Sequence, residues 1–281
     1  MTQHPKHSSQ KSVLIFFVLA YAITWGLSAL ATQQILPWDV PPFLMTASSI
    51  LLHYGPALAA IIMVSMEGGR SAVGALLGRW GQWRVGVRWY LFVFLFPLLV
   101  RLAAVGVDVL LGGQFPPFFS AGIVPEGNPL LLLPVVFLAV FFQAGLAEEI
   151  GWRGYALPRL QQRYGALTSS LILGVVWTFW HYHPENFADI WPITGYYLFS
   201  VVGLTILMTW IQNNTRASLL LAVLFHTVSN VSDWIIPTFP LVASANGMRP
   251  FLIEGLLTWV TVLVIIATSG AKYLRRQNSV V

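Results

Sequence analysis

Runs of apolar residues long enough to cross a lipid bilayer recur along the whole of this chain. A helix of about 20 apolar residues spans the hydrocarbon core, where every backbone polar group must be satisfied within the protein. Of the 281 residues, 57% are hydrophobic and only 9% are charged, whereas about a quarter are charged in soluble domains. The sequence therefore predicts an all-α fold, a polytopic transmembrane bundle of about eight helices. The predicted spans are 13–31, 43–66, 89–111, 130–153, 166–182, 191–211, 217–236 and 251–269.

The lysines and arginines predict how these spans are oriented. With both termini placed in the cytoplasm, all of the 15 basic residues except Arg101 and Arg249 fall on or near the cytoplasmic side. Because positive residues concentrate in cytoplasmic loops, we expect a multi-pass protein of the bacterial inner (plasma) membrane with both termini in the cytoplasm. Four acidic residues then lie outside, which is compatible with this orientation: Asp39, Glu126, Glu185 and Asp189.

Composition also excludes several functions. The absence of cysteine excludes disulfides, thiolate metal sites and a cysteine nucleophile. The net charge of +5 does not indicate nucleic-acid binding, because the basic residues are scattered among short loops. The first apolar run could open a signal peptide, since residues 29–31 have the small-x-small form of a cleavage site. Its length and the spans that follow it favour a retained helix.

Two adjacent carboxylates, Glu148 and Glu149, follow the apolar run 130–146 without a polar linker. An ionised carboxylate at bilayer depth is costly, so such an acid indicates a functional site and needs a partner. Glu149 and Arg153 are four residues apart and share a helical face, with the acid N-terminal. We therefore predict that Arg153 neutralises Glu149 and that Glu148, turned by about 100°, is the free acid. The alternative is a water-exposed helix end with an ordinary ion pair.

Two later spans carry further polar residues. Trp177 lies one helical turn before His181 in the fifth span, and His226 lies one turn before Asn230 in the seventh. Each of them alone can be polar glue between helices. Together with Glu148, however, they place an acid, two imidazoles and a carboxamide on three membrane helices, which indicates a site.

This set of groups suits hydrolysis without a covalent nucleophile. A shielded carboxylate can remove a proton from water, and an imidazole can orient that water or return a proton to a leaving amine. A second imidazole and a carboxamide can then stabilise the oxyanion. The same residues allow a metalloenzyme, since two histidines and one glutamate form a known catalytic zinc set, here Glu148, His181 and His226. The sequence leaves both readings open, a divalent metal such as zinc or no cofactor.

Helical rise places these groups at different depths, about 8 Å from the cytoplasmic face for Glu148 and about 15 Å for His226. They meet only if Arg153 is drawn inside with its charge held by Glu149, and if residues 154–164 fold within or along the membrane. We therefore predict a membrane-embedded polar cavity, open to the cytoplasm, with residues 154–164 as its rim. Arg101 could snorkel, pair across helices or contact substrate. His183 is expected to be a loop residue rather than a ligand.

In three motifs the chain resembles the CPBP family of intramembrane proteases, which includes the type II CAAX prenyl endopeptidases and bacteriocin self-immunity (Abi) proteins. The family pattern is Glu-Glu-x-x-x-Arg, then Phe-x-x-x-His, then His-x-x-x-Asn or Asp. The matching residues lie between about 130 and 233, and Trp177 stands where the family usually has phenylalanine. They are Glu148, Glu149, Arg153, Trp177, His181, His226 and Asn230.

The resemblance implies an intramembrane endopeptidase, with Glu148 activating water and His181 as its partner. We expect its substrate to be a membrane-associated peptide or protein that is reached from the membrane or the cytoplasmic side. The resemblance further implies that His226 and Asn230 stabilise the oxyanion and that Glu149 and Arg153 support the site. Both metal-dependent and metal-free accounts exist for the family, and we favour the latter. The resemblance, taken together with the predicted spans, divides the chain into four regions: a cytoplasmic tail (1–12), N-terminal helices (13–129), a catalytic core (130–236), and a C-terminal helix with a basic tail (237–281).

Two other classes of protein remain as alternatives. The chain could be a non-proteolytic immunity or membrane binding protein, or a proton-coupled transporter that uses the glutamate and histidines as a relay. A transporter more often shows repeated halves with broken helices in matching positions, and neither is evident here. The motifs of other proteases, such as His-Glu-x-x-His and Gly-x-Ser-x-Gly, do not occur in the sequence.

Overall fold

The computed structural model describes residues 6–33, 39–119, 128–239 and 247–275. Within these ranges the regular structure is entirely helical and forms eight segments, so the predicted all-α fold is confirmed. The segments are α1 (Lys6–Thr32), α2 (Pro42–Gly81), α3 (Val87–Leu110), α4 (Pro129–Gln161), α5 (Ala166–Trp180), α6 (Phe187–Asn214), α7 (Leu219–Ile235) and α8 (Arg249–Ser269). The predicted tail 1–12 overlaps α1, while Glu126 and Arg276 lie outside the described residues.

Six of these helices are long and apolar enough to cross a membrane, and α5 and α7 are shorter apolar helices of 15 and 17 residues. At 1.5 Å per residue, α5 is about 22 Å long, less than the thickness of the hydrocarbon core. A helix this short can end inside the bundle. His181 follows immediately on the last residue of α5, which places a polar helix end among the other helices.

Helix α4 is not a regular α-helix. Two π-helical turns, Phe141–Leu146 and Trp152–Ala156, flank the short α-helical turn Ala147–Gly151 that carries both glutamates. Turns of this kind occur frequently at functional sites. The residues of both turns are also compatible with a regular helix, so neither turn can be predicted from the sequence.

The second π-helical turn leaves backbone carbonyls that other helices must satisfy. Pro158 has no N–H to donate to the carbonyl of Gly154 four residues earlier, and Arg79 of α2 donates to that oxygen instead, at 2.7 Å. Gln212 of α6 donates to the carbonyl of Arg153, also at 2.7 Å. The irregular backbone is therefore held by side chains from two neighbouring helices, as membrane proteins require at this depth.

Glycines bring α4 close to its neighbours on both sides of the glutamates. A Cβ added to Gly151 would lie 2.5 Å from the backbone oxygen of Pro56 in α2, and one added to Gly145 would lie 2.8 Å from that of Val223 in α7. Neither backbone can move aside like a flexible side chain. Glycine therefore allows α4 to lie between α2 and α7, the arrangement on which the site depends.

Most of the described basic residues lie at one end of the bundle, here called the basic end; Arg101 and Arg249 do not. Arg79 at the end of α2 donates to the carbonyl of Ala217 before α7, at 3.0 Å, and the amide of Ala166 at the start of α5 donates to the carbonyl of Lys272 after α8, at 2.8 Å. These contacts join the helix ends that the charge pattern assigns to one side. Which membrane face this is stays a prediction.

The expectation for residues 154–164 is partly wrong. Residues up to Gln161 continue α4 as helix, and Tyr155, Ala156 and Leu157 are fully buried in the core. The segment therefore folds inside the bundle, as the depth argument requires. It does not form the rim of a cavity, because its apolar side chains pack against the neighbouring helices.

Candidate active site

The second glutamate of the pair is held between an arginine and a histidine. Arg153 Nη1 donates to Glu149 Oε1 at 2.9 Å, and both side chains are fully buried. The ion pair predicted from their spacing is confirmed. His226 Nδ1 lies 2.8 Å from the same oxygen, and because a carboxylate can only accept, this nitrogen donates. Glu149 thus fixes the orientation of the imidazole and turns its other nitrogen, Nε2, toward Glu148.

Glu148, the predicted free acid, is buried and has no arginine contact in the described structure. Its Oε2 accepts a hydrogen bond from Trp177 Nε1 at 2.6 Å and a longer one from Trp152 Nε1 at 3.4 Å. Its Oε1 lies 3.9 Å from His226 Nε2. That separation exceeds a direct hydrogen bond, but both atoms can contact one water molecule. One oxygen is therefore occupied by indole donors and the other is available.

Trp177 connects three of these groups. Besides donating to Glu148, its ring lies 4.3 Å from the guanidinium carbon of Arg153 and 5.3 Å from the ring centroid of His226. A phenylalanine, which the family pattern usually has here, could pack in the same place but has no N–H. In this chain the substitution therefore adds a hydrogen bond to the carboxyl of Glu148.

His181 is held by its own helix. Its Nδ1 lies 2.8 Å from the carbonyl oxygen of Trp177, one turn earlier. A carbonyl can only accept, so the proton of the neutral ring is on Nδ1 and Nε2 is an acceptor. The ring packs edge-on against Trp180 and Tyr197, with centroids at 4.9 and 5.4 Å. Such an imidazole can orient a water molecule by accepting its hydrogen bond.

A cavity of about 410 Å³ brings the predicted site residues together. Glu148, Trp177, His181, His226 and Asn230 all line it, whereas Glu149 and Arg153 lie behind its wall. Asn230 is exposed, which leaves its amide free to meet a ligand.

The position of this cavity differs from the prediction. Its lining includes residues from the turn before α6 and from the first turns of α8, at the end of the bundle opposite the basic end. Residues 154–164 contribute nothing to it. The predicted rim is therefore wrong, because that segment is packed in the core rather than laid across an opening. Under the topology predicted from the basic residues, the cavity lies toward the outer face.

Arg101, whose role the sequence left open, pairs across helices. It contacts Asp233 near the end of α7 and Glu254 in α8, and all three line the cavity. Asp108, which lies seven residues after Arg101 on the same face of α3, pairs instead with Arg249. These pairs cannot be predicted from spacing along the sequence, because the two partners of each pair lie on different helices.

His183 is a loop residue, as predicted, but a buried one. Its Nδ1 lies 3.0 Å from Ser28 Oγ of α1, which also accepts from the amide of Glu185. Burial lowers the pKa of His183 to about 4, so the ring is neutral at physiological pH. Trp25 of the same helix donates to the carbonyl of Trp180 at 3.0 Å. Helix α1 thus fixes the segment that carries His181.

A catalytic metal site needs about three protein ligands that lie close together. Among the described residues, no three histidine, aspartate or glutamate side chains lie close enough together to hold a metal ion. The alternative set of Glu148, His181 and His226 does not meet this condition as it stands.

Fold and site together define a multi-pass helical membrane protein with a buried acid and two histidines at the wall of an internal cavity. Residues 130–232 match the family model described as type II CAAX prenyl endopeptidase Rce1-like. The resemblance to the CPBP family, drawn from three short motifs, is thereby confirmed over this segment, which contains every motif residue.

One relative supports the same assignment. The chain is 33% identical over 152 residues to CAAX prenyl protease 2 of Methanococcus maripaludis. The match covers 50% of this chain and 54% of the relative, so the chain spans about half the length of the curated protein that it matches.

Four features of this site were not predicted from the sequence. The contact of Trp152 with Glu148 could have been predicted, because the two residues are four apart. The others are the contact between Glu149 and His226 and the positions of His53 and Tyr197 in the cavity wall, which bring together distant parts of the chain. A single sequence carries no signal for such pairs.

Proposed function

We propose that this protein is an intramembrane endopeptidase that cuts a peptide bond with a water molecule activated by Glu148. One observation carries the proposal: the carboxyl of Glu148 is buried at the cavity wall, with one oxygen held by Trp177 and the other facing His226. A carboxyl fixed in this way has one oxygen directed at the space where water and substrate would meet. General-base catalysis of this kind contributes about 10² to 10⁴ in rate.

Charge balance limits the protonation states that Glu148 and His226 can have. Arg153 and Glu149 neutralise each other, which leaves Glu148 and His226 to share one proton if the buried site is neutral overall. With that proton on His226, the ring is an imidazolium and Nε2 is a donor. With the proton on Glu148, Nε2 is an acceptor. The pair can therefore act as an acid and a base in turn.

In the proposed reaction each of these groups has one role. Water oriented by His181 Nε2 gives a proton to Glu148 Oε1, and its oxygen attacks the carbonyl carbon of the substrate. The imidazolium of His226 and the amide of Asn230 donate to the developing oxyanion, a role in which one donor is worth about 100 to 1000-fold in rate. The proton held by Glu148 passes to the leaving nitrogen as the C–N bond breaks. Trp177 positions Glu148 without contacting the substrate.

Access to the cavity follows from the positive-inside rule. If the basic end faces the cytoplasm, the cavity opens toward the outer face of the bacterial inner membrane, and the substrate is a peptide reached from that face or from the membrane. The chain has no native cysteine, so single cysteines report on this cleanly. Ala188 lies at the cavity end and Gln162 at the basic end, and both are exposed.

The test of access uses a membrane-impermeant maleimide on intact cells that express Ala188→Cys or Gln162→Cys. We expect labelling of Ala188→Cys in intact cells and of Gln162→Cys only after the cells are opened. The reverse pattern would place the cavity on the cytoplasmic side.

The test of function is cleavage of a pool of membrane peptides by purified wild type and Glu148→Gln. The amide preserves the shape of the side chain and an oxygen for Trp177, but it is a poor base. We expect a fall of at least 100-fold in rate with an unchanged unfolding midpoint. Glu185→Gln, which makes the same charge change in an exposed loop outside the cavity, is the matched control. Equal cleavage by wild type and Glu148→Gln would reject the mechanism, and a phenotype that persists without cleavage would favour a binding or immunity protein.

A further inference from the structure

A second group of charged side chains lines the same cavity, away from Glu148. Arg101 Nη1 contacts Asp233 Oδ1 and lies 3.2 Å from Glu254 Oε2. The hydroxyl of Thr238 accepts from Arg101 and donates to Glu254, and backbone amides of residues 238 and 239 donate to Asp233. We call Arg101, Asp233 and Glu254 the Arg101 cluster. Its side chains are at most 22% exposed.

The charges of this cluster do not balance. Two carboxyls share one guanidinium, and the other arginine at this end of the bundle, Arg249, pairs with Asp108. No further basic side chain contacts Asp233 or Glu254 within the described ranges. A buried carboxylate without a counter-charge is costly. One of the two carboxyls must therefore hold a proton or bind a cation.

An independent observation indicates a ligand. Ser229 lies one helical turn before Asp233 on α7, lines the cavity and is 5% exposed, and its hydroxyl has no hydrogen-bond partner among the described residues. Buried hydroxyls are normally paired, and leaving one unpaired costs stability. The contacts within the cluster use Oδ1 of Asp233 and Oε2 of Glu254, so the second oxygen of each carboxyl takes no part in them.

The cluster lies at a defined distance from the proposed site of cleavage. His226 and Asp233 are seven residues apart on α7, which corresponds to about 10 Å along the helix. An extended peptide advances about 3.3 Å per residue. A peptide bound along the cavity would therefore reach the cluster with a side chain about three residues from the bond next to His226.

We propose that the Arg101 cluster and Ser229 form a subsite for a lysine or arginine side chain of the substrate, about three residues from the cleaved bond. The ammonium or guanidinium provides the missing positive charge, and Ser229 accepts one of its hydrogen bonds. The position relative to the cut rests on the proposed function, whereas the binding preference does not require cleavage.

The test measures binding to the full chain carrying Glu148→Gln in lipid nanodiscs. The probes are two fluorescein-labelled decapeptides that are identical except for lysine or norleucine at the central position, and fluorescence anisotropy is corrected with empty nanodiscs. We expect the lysine peptide to bind about tenfold more tightly, because a hydrogen bond to a charged group in a buried site contributes about this much to affinity. Glu254→Gln should reduce this ratio to twofold or less, while Glu185→Gln should leave it at about tenfold.

Three outcomes would overturn the subsite: equal binding of the two peptides, tighter binding of the norleucine peptide, or a preference for lysine that survives Glu254→Gln in protein with a normal unfolding midpoint. If Glu254→Gln does not fold, the comparison of lysine with norleucine in otherwise native protein still decides. The two proposals can fail independently. If protein that retains Glu148 prefers the lysine peptide but cleaves neither peptide, the protease proposal is contradicted and the subsite stands. If it cleaves both peptides equally, the subsite is contradicted and the protease proposal stands.

Discussion

Two arginines lie inside this bundle, and they are held in different ways. Arg153 is fully buried, and its partner Glu149 is four residues away on the same helix. Arg101 is slightly exposed to the cavity, and its partners come from two other helices. The first pair is balanced and fixes a histidine, whereas the second carries an excess of negative charge toward the cavity. Under the two proposals above, Arg153 supports the site of cleavage and Arg101 helps to select the substrate.

The comparison is tested most strongly by removing each arginine. Arg153→Met leaves Glu149 buried without a counter-charge, and we expect a loss of about 3–5 kcal/mol in the free energy of unfolding. Arg101→Met should cost less, about 1–3 kcal/mol, because water in the cavity can solvate its partners. Unfolding midpoints in one detergent measure both. Arg153→Met combined with Glu149→Gln should recover part of the loss, and a larger loss for Arg101→Met than for Arg153→Met would reverse the distinction.

A second prediction concerns the close packing that buries Arg153. Gly151→Ala would place a methyl group against the backbone of Pro56, so we expect a loss of about 1–3 kcal/mol. Gly74→Ala, in a helix with open space around the added Cβ, is the matched control and should be neutral or slightly stabilising. The unfolding midpoint again decides. Equal midpoints for the two variants would show that α2 and α4 need not lie so close.

The smallest expected effect concerns the residue that links Arg153 to Glu148. Trp177→Phe keeps the aromatic ring and removes the hydrogen bond to Glu148, so we expect kcat to fall about tenfold with KM and the unfolding midpoint nearly unchanged. Trp210→Phe is the matched control, because the indole N–H of Trp210 is buried without a partner among the described residues. A rise in KM alone would indicate that Trp177 contacts substrate instead of positioning the acid.

The sequence predicted the features that depend on spacing within one helix. The apolar runs predicted the eight helices. The four-residue intervals predicted the pair of Glu149 and Arg153 and the position of Trp177 one turn before His181. What it could not give depends on contacts between helices. The second π-helical turn of α4 is stabilised by Arg79 and Gln212, which lie on α2 and α6. The sequence of this turn is compatible with a regular helix.

The direction of the cavity was beyond the sequence for the same reason. Depths counted along single helices from the basic residues placed Glu148 near the cytoplasmic face, because they assumed a regular α4 that ends at Arg153. In the structure α4 continues to Gln161. The cavity lies next to His181 at the C-terminal end of α5 and next to Asn230 in the C-terminal half of α7.

The central claim is that Glu148 activates water without the help of a bound metal ion. The most direct measurement is the cleavage rate of purified wild type before and after exhaustive treatment with a strong chelator, with metal content determined by mass spectrometry on the same samples. We predict an unchanged rate in metal-depleted wild type and no cleavage by Glu148→Gln. Cleavage that disappears with the chelator and returns with zinc would contradict the claim and assign Glu148, His181 and His226 to a metal centre.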